Sequence, residues 1–135
     1  MKTYLITFVF ISTLLLGSCK DNNSPTGNSE TSKVCNLTLT QGGINNPKII
    51  IMDNTLGATL SSYRISPGFY YITASQPVFT SYKKTIVLIG GVATGHTQAY
   101  WHDNKNIMVR TTNSSNIDSD DILKDDTSLE IRVYP

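Results

Sequence analysis

Apolar and polar residues alternate with a period of two along much of the chain after residue 33. The segment near the C-terminus shows this most clearly, because Leu129, Ile131 and Val133 share one face and Glu130 and Arg132 share the other. No ten-residue window repeats apolar residues at the i, i+3, i+4 spacing of an amphipathic helix. The pattern therefore predicts strands with one buried and one solvent-facing side.

Eight segments alternate in this way or are short β-branched apolar runs, and clusters of glycine, proline, asparagine and aspartate separate them. The predicted strands are Cys35–Gln41, Lys48–Asp53, Thr59–Ile65, Phe69–Ala74, Lys84–Ile89, Thr97–His102, Ile107–Thr112 and Leu129–Tyr134. Short strands at this spacing indicate an all-β fold, a single antiparallel β-sandwich or jelly-roll-like domain over residues 34–135, with a small barrel as the alternative. Ser119–Leu123 is predicted to form one helical turn that closes one end of the core.

Two predicted strands do not alternate. Ile49–Met52 and Ile86–Ile89 are apolar on both faces, and no predicted helix is available to cover the outer face. An exposed apolar patch marks a partner surface, so we expect self-association, with a homo-oligomer formed through Ile50, Met52, Val87 and Ile89. The alternative is that the loop Gln76–Tyr82 covers this surface.

The N-terminal segment has the composition of an export signal. Lys2 precedes the thirteen-residue apolar stretch Tyr4–Leu16, which is shorter than the about 20 residues that span a bilayer. Small residues, Gly17 and Ser18, end this stretch directly before Cys19. A charged start, a short apolar centre and a small-residue end indicate a secretory signal peptide over residues 1–18.

The sequence Leu16-Gly17-Ser18-Cys19 resembles the lipobox of bacterial lipoproteins. The resemblance implies that the signal is removed and that Cys19 becomes an N-terminus carrying fatty acyl chains such as palmitate, which anchor it in the membrane. Two or three chains give a stable anchor where a single chain is marginal. Membership of this family also implies the cell envelope, with the outer membrane expected and the cell surface or the periplasmic side left open.

Residues 19–33 are predicted to form a flexible tether. No apolar residue larger than Pro25 occurs between Lys20 and Lys33, so this stretch has nothing to bury that would offset the entropy of ordering. The Lys20-Asp21 pair resembles the lysine-plus-acidic signal that directs some lipoproteins to the cell surface.

The net charge restricts the class of partner that we expect, and the cysteine content restricts the state of Cys35. Lys2 is one of the eleven Lys and Arg residues, so residues 19–135 carry ten basic against ten acidic side chains, and nucleic acid is not an expected partner. Cys35 is the one cysteine besides Cys19, and it shares a strand face with Leu37. We therefore expect Cys35 to be a buried free thiol.

Catalytic and metal-binding patterns are sparse, and we expect neither an enzyme nor a cofactor. His96 and His102 stand six residues apart on one predicted strand, roughly 20 Å, which is too far to share a metal. The weak calcium candidate is Asp118, Asp120 and Asp121, whose spacing departs from the EF-hand loop. A solvated acidic loop is the alternative.

Aromatic residues are the other candidate contact groups. Neighbours on a strand point to opposite faces, so one of Tyr70 and Tyr71 and one of Tyr100 and Trp101 face outward unless covered. We single out Tyr70, Tyr100 and Trp101 as possible binding residues, for a glycan or for a protein. Ordinary cross-strand pairs are the alternative interpretation.

The strand patterns Gly68–Ile72, Lys84–Gly90, Ile107–Thr111 and Leu129–Pro135 are similar to small β-rich modules at the C-terminal ends of phage tail-fibre-like and bacterial surface proteins. This resemblance implies a structural or receptor-contact module that self-associates. It carries no catalytic residue.

Three functions therefore stay open. The first is a lipid-anchored binding or structural module of the envelope without catalytic activity. The second is an inhibitor or immunity-type lipoprotein that blocks an envelope-attacking enzyme, for which small β-rich lipoproteins that inhibit lysozyme are the precedent. The third is a carbohydrate-binding module, which requires outward-facing aromatic rings on one sheet face.

The lipid anchor is testable with one substitution. Because Cys19 carries the only expected acylation site, Cys19→Ser should move the full chain from the membrane fraction to the soluble fraction and abolish incorporation of labelled palmitate. Cys35→Ser is the matched control and should change neither readout. A Cys19→Ser protein that stays in the membrane fraction would contradict the anchor.

Overall fold

The computed structural model describes residues 31–91, 95–123 and 127–135. The signal peptide, Cys19 and the tether up to residue 30 lie outside the described residues. The strands are β1 (Lys33–Thr40), β2 (Lys48–Asn54), β3 (Leu60–Ser66), β4 (Phe69–Ala74), β5 (Thr85–Gly90), β6 (His96–Trp101), β7 (Asn106–Thr112) and β8 (Thr127–Val133). All eight predicted strands are confirmed. Within the described ranges, no helix is long and apolar enough to cross a bilayer.

The strands form two separate four-stranded sheets. The first sheet has the order β2-β1-β8-β5, and the second sheet has the order β3-β4-β7-β6. Every described pairing is antiparallel. The architecture is consistent with the predicted β-sandwich and is not the barrel alternative.

The core lies between the inner faces of the two sheets. In the first sheet, Cys35 pairs with Ile131 and Leu37 pairs with Leu129, and all four side chains are buried. The second sheet contributes the buried side chains Tyr70, Ile72, Ile107 and Val109. Burial of one such aliphatic side chain contributes about 1.5–3 kcal/mol. The alternation in β8 and the burial of Cys35 are confirmed, and burial raises the pKa of the Cys35 thiol to about 11.

The segment before β8 closes one end of the core without forming a helix. Ile122 and Leu123 are buried as predicted, and the Leu123 carbonyl accepts a hydrogen bond from the Gln41 backbone N–H at 3.2 Å. The predicted helical turn is wrong: residues 120–123 form bends and a turn. Asp121 has a φ of 67°, in the left-handed region, which a right-handed helix cannot include.

The two strands that do not alternate, β2 and β5, occupy the two edges of the first sheet. The β5 register places Val87 opposite Ile131, on the core side, so Val87 packs against the core and is not a surface group. Ile86 and Leu88 face outward instead, at 43% and 55% exposure. Ile89 also lies on the inner face, but the sheet edge leaves it 37% exposed.

The β2 residues named for self-association are exposed. Ile50 pairs with Thr38 on the outer face of the first sheet and is 48% exposed. Met52 has no partner in the β1 register, because a bulge there makes Asn36 pair with Asp53, and Met52 is 62% exposed.

The turn between β3 and β4 requires a glycine. Gly68 has a φ of 73°, and a Cβ atom at this position would lie 2.5 Å from the carbonyl oxygen of Thr111. The Gly68 carbonyl also accepts a hydrogen bond from the Thr111 backbone N–H at 2.8 Å. The β3–β4 turn is therefore held against β7 at a distance that only glycine permits.

Substitution of Gly68 should destabilise the domain strongly. We expect Gly68→Ala to lower the free energy of unfolding by on the order of 3 kcal/mol, because left-handed backbone strain adds to a backbone clash. Gly42→Ala is the matched control: its Cβ would meet no atom within 4 Å, and we expect a change below about 0.5 kcal/mol. Urea unfolding measures both values, and equal midpoints would contradict the close approach.

Candidate binding face

The outer face of the second sheet carries a row of large side chains that crosses all four strands. Tyr63 on β3 pairs with Tyr71 on β4, Tyr71 pairs with Met108 on β7, and Met108 pairs with Tyr100 on β6. We call these four residues the tyrosine row. They share one face because side chains opposite each other in antiparallel strands point to the same side of the sheet.

The tyrosine row is held by contacts between its rings. Tyr63 and Tyr71 meet edge to face, with ring centroids 5.4 Å apart, and Tyr71 lies 4.8 Å from the ring of His102. The Tyr71 hydroxyl and His102 Nε2 are 2.8 Å apart, within hydrogen-bond distance. Tyr63 and Tyr100 remain 40% and 45% exposed. Tyr63 and Tyr71 are therefore held against each other, so a ligand would order these two rings at little further entropic cost.

Tyr71, at the centre of the tyrosine row, stays protonated. Burial raises the pKa of Tyr71, with smaller contributions from nearby Tyr63 and Asp103. Its phenol is therefore neutral at physiological pH and is able to donate or accept a hydrogen bond. The centre of the tyrosine row is consequently an uncharged ring with a polar atom at its edge.

A second row lies beside the tyrosine row. Phe69, Arg110 and Gln98 pair across β4, β7 and β6. The Arg110 guanidinium lies 5.5 Å from the Phe69 ring centroid, and its Nε donates to Asp118 Oδ1 at 2.7 Å. That hydrogen bond raises the pKa of Arg110. Asp118 thus balances the positive charge of Arg110, and the ion pair fixes the orientation of the remaining guanidinium N–H groups.

An open polar pocket of about 570 Å³ adjoins this second row. Its lining residues are Gly95, His96, Thr97, Gln98, Arg110, Thr112 and Asn116. Gln98 and Arg110 belong both to the pocket and to the row beside the tyrosines. Aromatic rings and a polar pocket therefore form one continuous surface on the second sheet.

The rim of the pocket is built by a tight loop after β7. The Asn113 side-chain oxygen accepts hydrogen bonds from the backbone N–H groups of Ser115 and Ile117, at 2.9 and 3.1 Å. Asn116 adopts a φ of 61°, which asparagine tolerates better than most residues. These contacts hold Asn116 at the rim.

The structure corrects two of the three aromatic residues predicted to bind. Tyr100 faces outward as expected. Tyr70 is fully buried, and Trp101 faces the core, where its Nε1 donates to the Phe79 carbonyl at 3.0 Å. The outward rings that sequence reasoning did not select are Tyr63 and Tyr71. A signal for Tyr71 was present, because Tyr70 shares its strand face with Ile72 and Ala74.

The three carboxylates of the calcium candidate do not form one ligand set. Asp118 pairs with Arg110, while Asp121 Oδ1 accepts the backbone N–H of Gly43 at 2.5 Å. Asp120 turns inward towards Arg64 and Tyr70. Among the described residues, no three His, Cys, Asp or Glu side chains are grouped closely enough to hold a metal ion.

Asp120 is the centre of a partly buried polar cluster at the edge of the core. It accepts hydrogen bonds from Arg64 at 2.8 and 3.1 Å, from the Tyr70 hydroxyl at 2.7 Å and from the Gly68 backbone N–H at 3.1 Å. The hydrogen bond from Arg64 is the largest cause of the lowered pKa of Asp120, and burial raises the pKa of Tyr70. The cluster therefore contains an ionised carboxylate and a neutral phenol.

His102, the histidine beside Tyr71, is not arranged for a proton relay. His102 Nε2 contacts the Tyr71 hydroxyl, and the same nitrogen lies 4.0 Å from Asp103 Oδ2. A relay uses the two ring nitrogens for two different partners. The arrangement therefore serves hydrogen bonding and stacking.

Comparisons with known proteins supply no function to transfer. No family model, no curated protein and no solved structure matches the chain. The function of this protein is therefore inferred from the geometry of this face.

The Asp120 cluster predicts acid sensitivity. Because the folded-state pKa of Asp120 lies below its ordinary value of about 3.9, the cluster stabilises the fold above that pH, and the stability is lost as pH falls through the folded-state pKa. Asp120→Asn should therefore lower the free energy of unfolding by about 1–2 kcal/mol at pH 7 and by less at pH 3.

Urea unfolding at both pH values measures this difference. Asp118→Asn, which removes the carboxylate of a more exposed ion pair with Arg110, is the control and should change the pH dependence less than Asp120→Asn does. An Asp120→Asn protein with an unaltered pH dependence would show that the cluster does not titrate as described.

Proposed function

We propose that this protein is a lipid-anchored, non-catalytic carbohydrate-binding module of the bacterial envelope, and that the outer face of the second sheet contacts the glycan. The single observation that carries the proposal is the tyrosine row, which crosses all four strands with its rings partly exposed. The anchor and the location rest on the sequence Leu16–Cys19.

The chemistry of the tyrosine row suits sugars. An aromatic ring offers an apolar face to the C–H groups of a pyranose, while its polar edge is free to hydrogen-bond a hydroxyl. The hydroxyl of Tyr71 and the ring of His102 provide such polar atoms beside the rings. With strands about 4.8 Å apart, four strands give a row roughly 14 Å long, which suits an oligosaccharide better than a single sugar.

The polar pocket supports the same class of ligand. Gln98 and Asn116 each offer a donor and an acceptor, which match the dual character of a sugar hydroxyl. Because Asp118 pairs the charge of Arg110, the pocket favours a neutral, hydroxyl-rich group over a free anion. The ligand we propose is therefore a neutral glycan that lies along the rings and places one residue near the pocket.

The structural-module hypothesis and the inhibitor hypothesis do not account for this face. A purely structural module has no need for ordered, exposed rings on a sheet face. The inhibitor hypothesis relies on a protruding loop and stays a prediction, because no observation in the described residues favours it over the sheet face.

Loss of single rings tests the proposal. The probes are a glycan array of bacterial and host oligosaccharides and then calorimetric titration with the best-bound oligosaccharide, using residues 20–135, which include all eight strands. We expect Tyr63→Ala and Tyr100→Ala each to weaken binding about tenfold, since one lost ring contact is worth about 1.4 kcal/mol.

Tyr82→Ala is the matched control. Tyr82 is a tyrosine exposed to 67%, and it lies outside the tyrosine row beside Trp101. It should leave affinity unchanged. An array without any bound glycan, or equal losses in all three variants, would overturn the assignment of the face.

A further inference from the structure

The strand β2 is exposed on both faces and along one edge. Ile50 on its outer face and Ile51 on its inner face are 48% and 41% exposed, although Ile51 points towards the side of the sheet that carries the core. β2 lies at the end of its sheet, and β3 of the opposite sheet contacts the segment just before it, where the Ser62 hydroxyl donates to the Pro47 carbonyl. Ile50 and Ile51 therefore meet solvent at one sheet edge, while Ile49 packs partly against the core.

The backbone of β2 has a free hydrogen-bonding edge. The Val34 carbonyl accepts the Thr55 backbone N–H, so the even-numbered residues of β1 direct their backbone groups towards β2. Ile50 pairs with Thr38 and uses its own groups for that contact. Ile49 and Ile51 then direct their N–H and C=O groups outward, where no described backbone segment hydrogen-bonds them.

We propose that the edge of β2 pairs with β2 of a second copy of this chain, antiparallel and across a two-fold axis at Ile50. In this register Ile49 of each copy lies opposite Ile51 of the other, which gives two such pairs. The outward N–H and C=O groups of both residues then form hydrogen bonds between the copies. Shifting the axis to Ile49 would place Pro47, which lacks an N–H, opposite Ile51. The two first sheets become one continuous eight-stranded sheet.

Charge complementarity supports a second copy as the occupant. Lys48 begins β2 and Asp53 stands near its end, so in this register each Lys48 lies opposite Met52 of the other copy and diagonal to its Asp53. An edge lysine and a bulge are devices that discourage strand addition, and here they flank the three isoleucines. In the two-fold pair, the same charges favour the antiparallel direction, because a parallel copy would place lysine beside lysine. Residues 19–135 carry ten basic and ten acidic side chains, so net repulsion does not oppose association.

The other apolar edge, β5, is a poorer site for pairing. It has the sequence Thr-Ile-Val-Leu-Ile-Gly, without a charge to favour one direction, and it packs beside β6 of the opposite sheet. Pairing of β2 with β5 of a further copy would also be heterologous and would extend into an open chain. The β2–β2 contact closes at two copies and leaves both tyrosine rows exposed, because they lie on the other sheet.

Engineered thiols test the contact and its register. In residues 20–135, Ile50→Cys places two thiols opposite each other at a non-hydrogen-bonded pair, where Cα atoms are about 4.5 Å apart and a disulfide fits. Under mild oxidation we expect disulfide-linked dimer to form at least about tenfold faster than in Leu88→Cys, the matched control on the exposed face of β5. The native Cys35 is buried in both proteins.

Two further measurements test the contact independently: the mass of the protein in solution, and the effect on dimerisation of exchanging the charges of Lys48 and Asp53. Light scattering should report a dimer, Lys48→Glu should weaken dimerisation, and Lys48→Glu with Asp53→Lys should restore it. A monomer at all concentrations with equal crosslinking of both cysteine variants would overturn the proposal, and so would preferential crosslinking of Leu88→Cys. Glycan binding is measured separately on Tyr63→Ala, so failure of this contact and failure of the proposed function are distinguishable.

Discussion

The antiparallel pairing of β1 with β8 is the interaction on which the rest of the structure depends. The two strands come from opposite ends of the domain, yet they occupy the centre of the first sheet and join Cys35 to Ile131 and Leu37 to Leu129. Closing a loop of about ninety residues costs conformational entropy before either strand gains its core contacts. Formation of the first sheet therefore requires both ends of the domain, and a partial chain cannot complete it.

This central pairing also decides which surfaces are left uncovered. With β1 and β8 in the middle, the apolar strands β2 and β5 become the edges of the first sheet, and their isoleucines and leucine meet solvent. The second sheet has the opposite character, because its outer face carries phenol, amide and guanidinium groups around the tyrosine row. The two sheets thus offer different kinds of contact: an apolar edge with free backbone groups, and an aromatic face with polar atoms.

The Asp120 cluster connects the stability of the domain to the binding face. Asp120 ties the segment after β7 to Arg64, Tyr70 and the Gly68 turn. Two residues earlier, Asp118 directs Arg110 on the outer face. One short acidic segment therefore holds the inner side of the second sheet through one carboxylate and organises the pocket through another. The acidity that suggested a metal site serves the fold and the orientation of Arg110.

The local pattern of apolar and polar residues determined much of this fold. The eight strands and the all-β class followed from period-two alternation and from the short β-branched runs of β2 and β5. The burial of Cys35 followed from alternation alone, because which face a residue occupies is set by its immediate neighbours. The tertiary structure decided the rest. Val87 could not be assigned to the core within a strand apolar on both faces, since only its pairing with β8 selects a side. Tyr63 joins Tyr71 in one row, and β2 lies at an edge, because strand order and register arise from contacts between segments far apart in the chain.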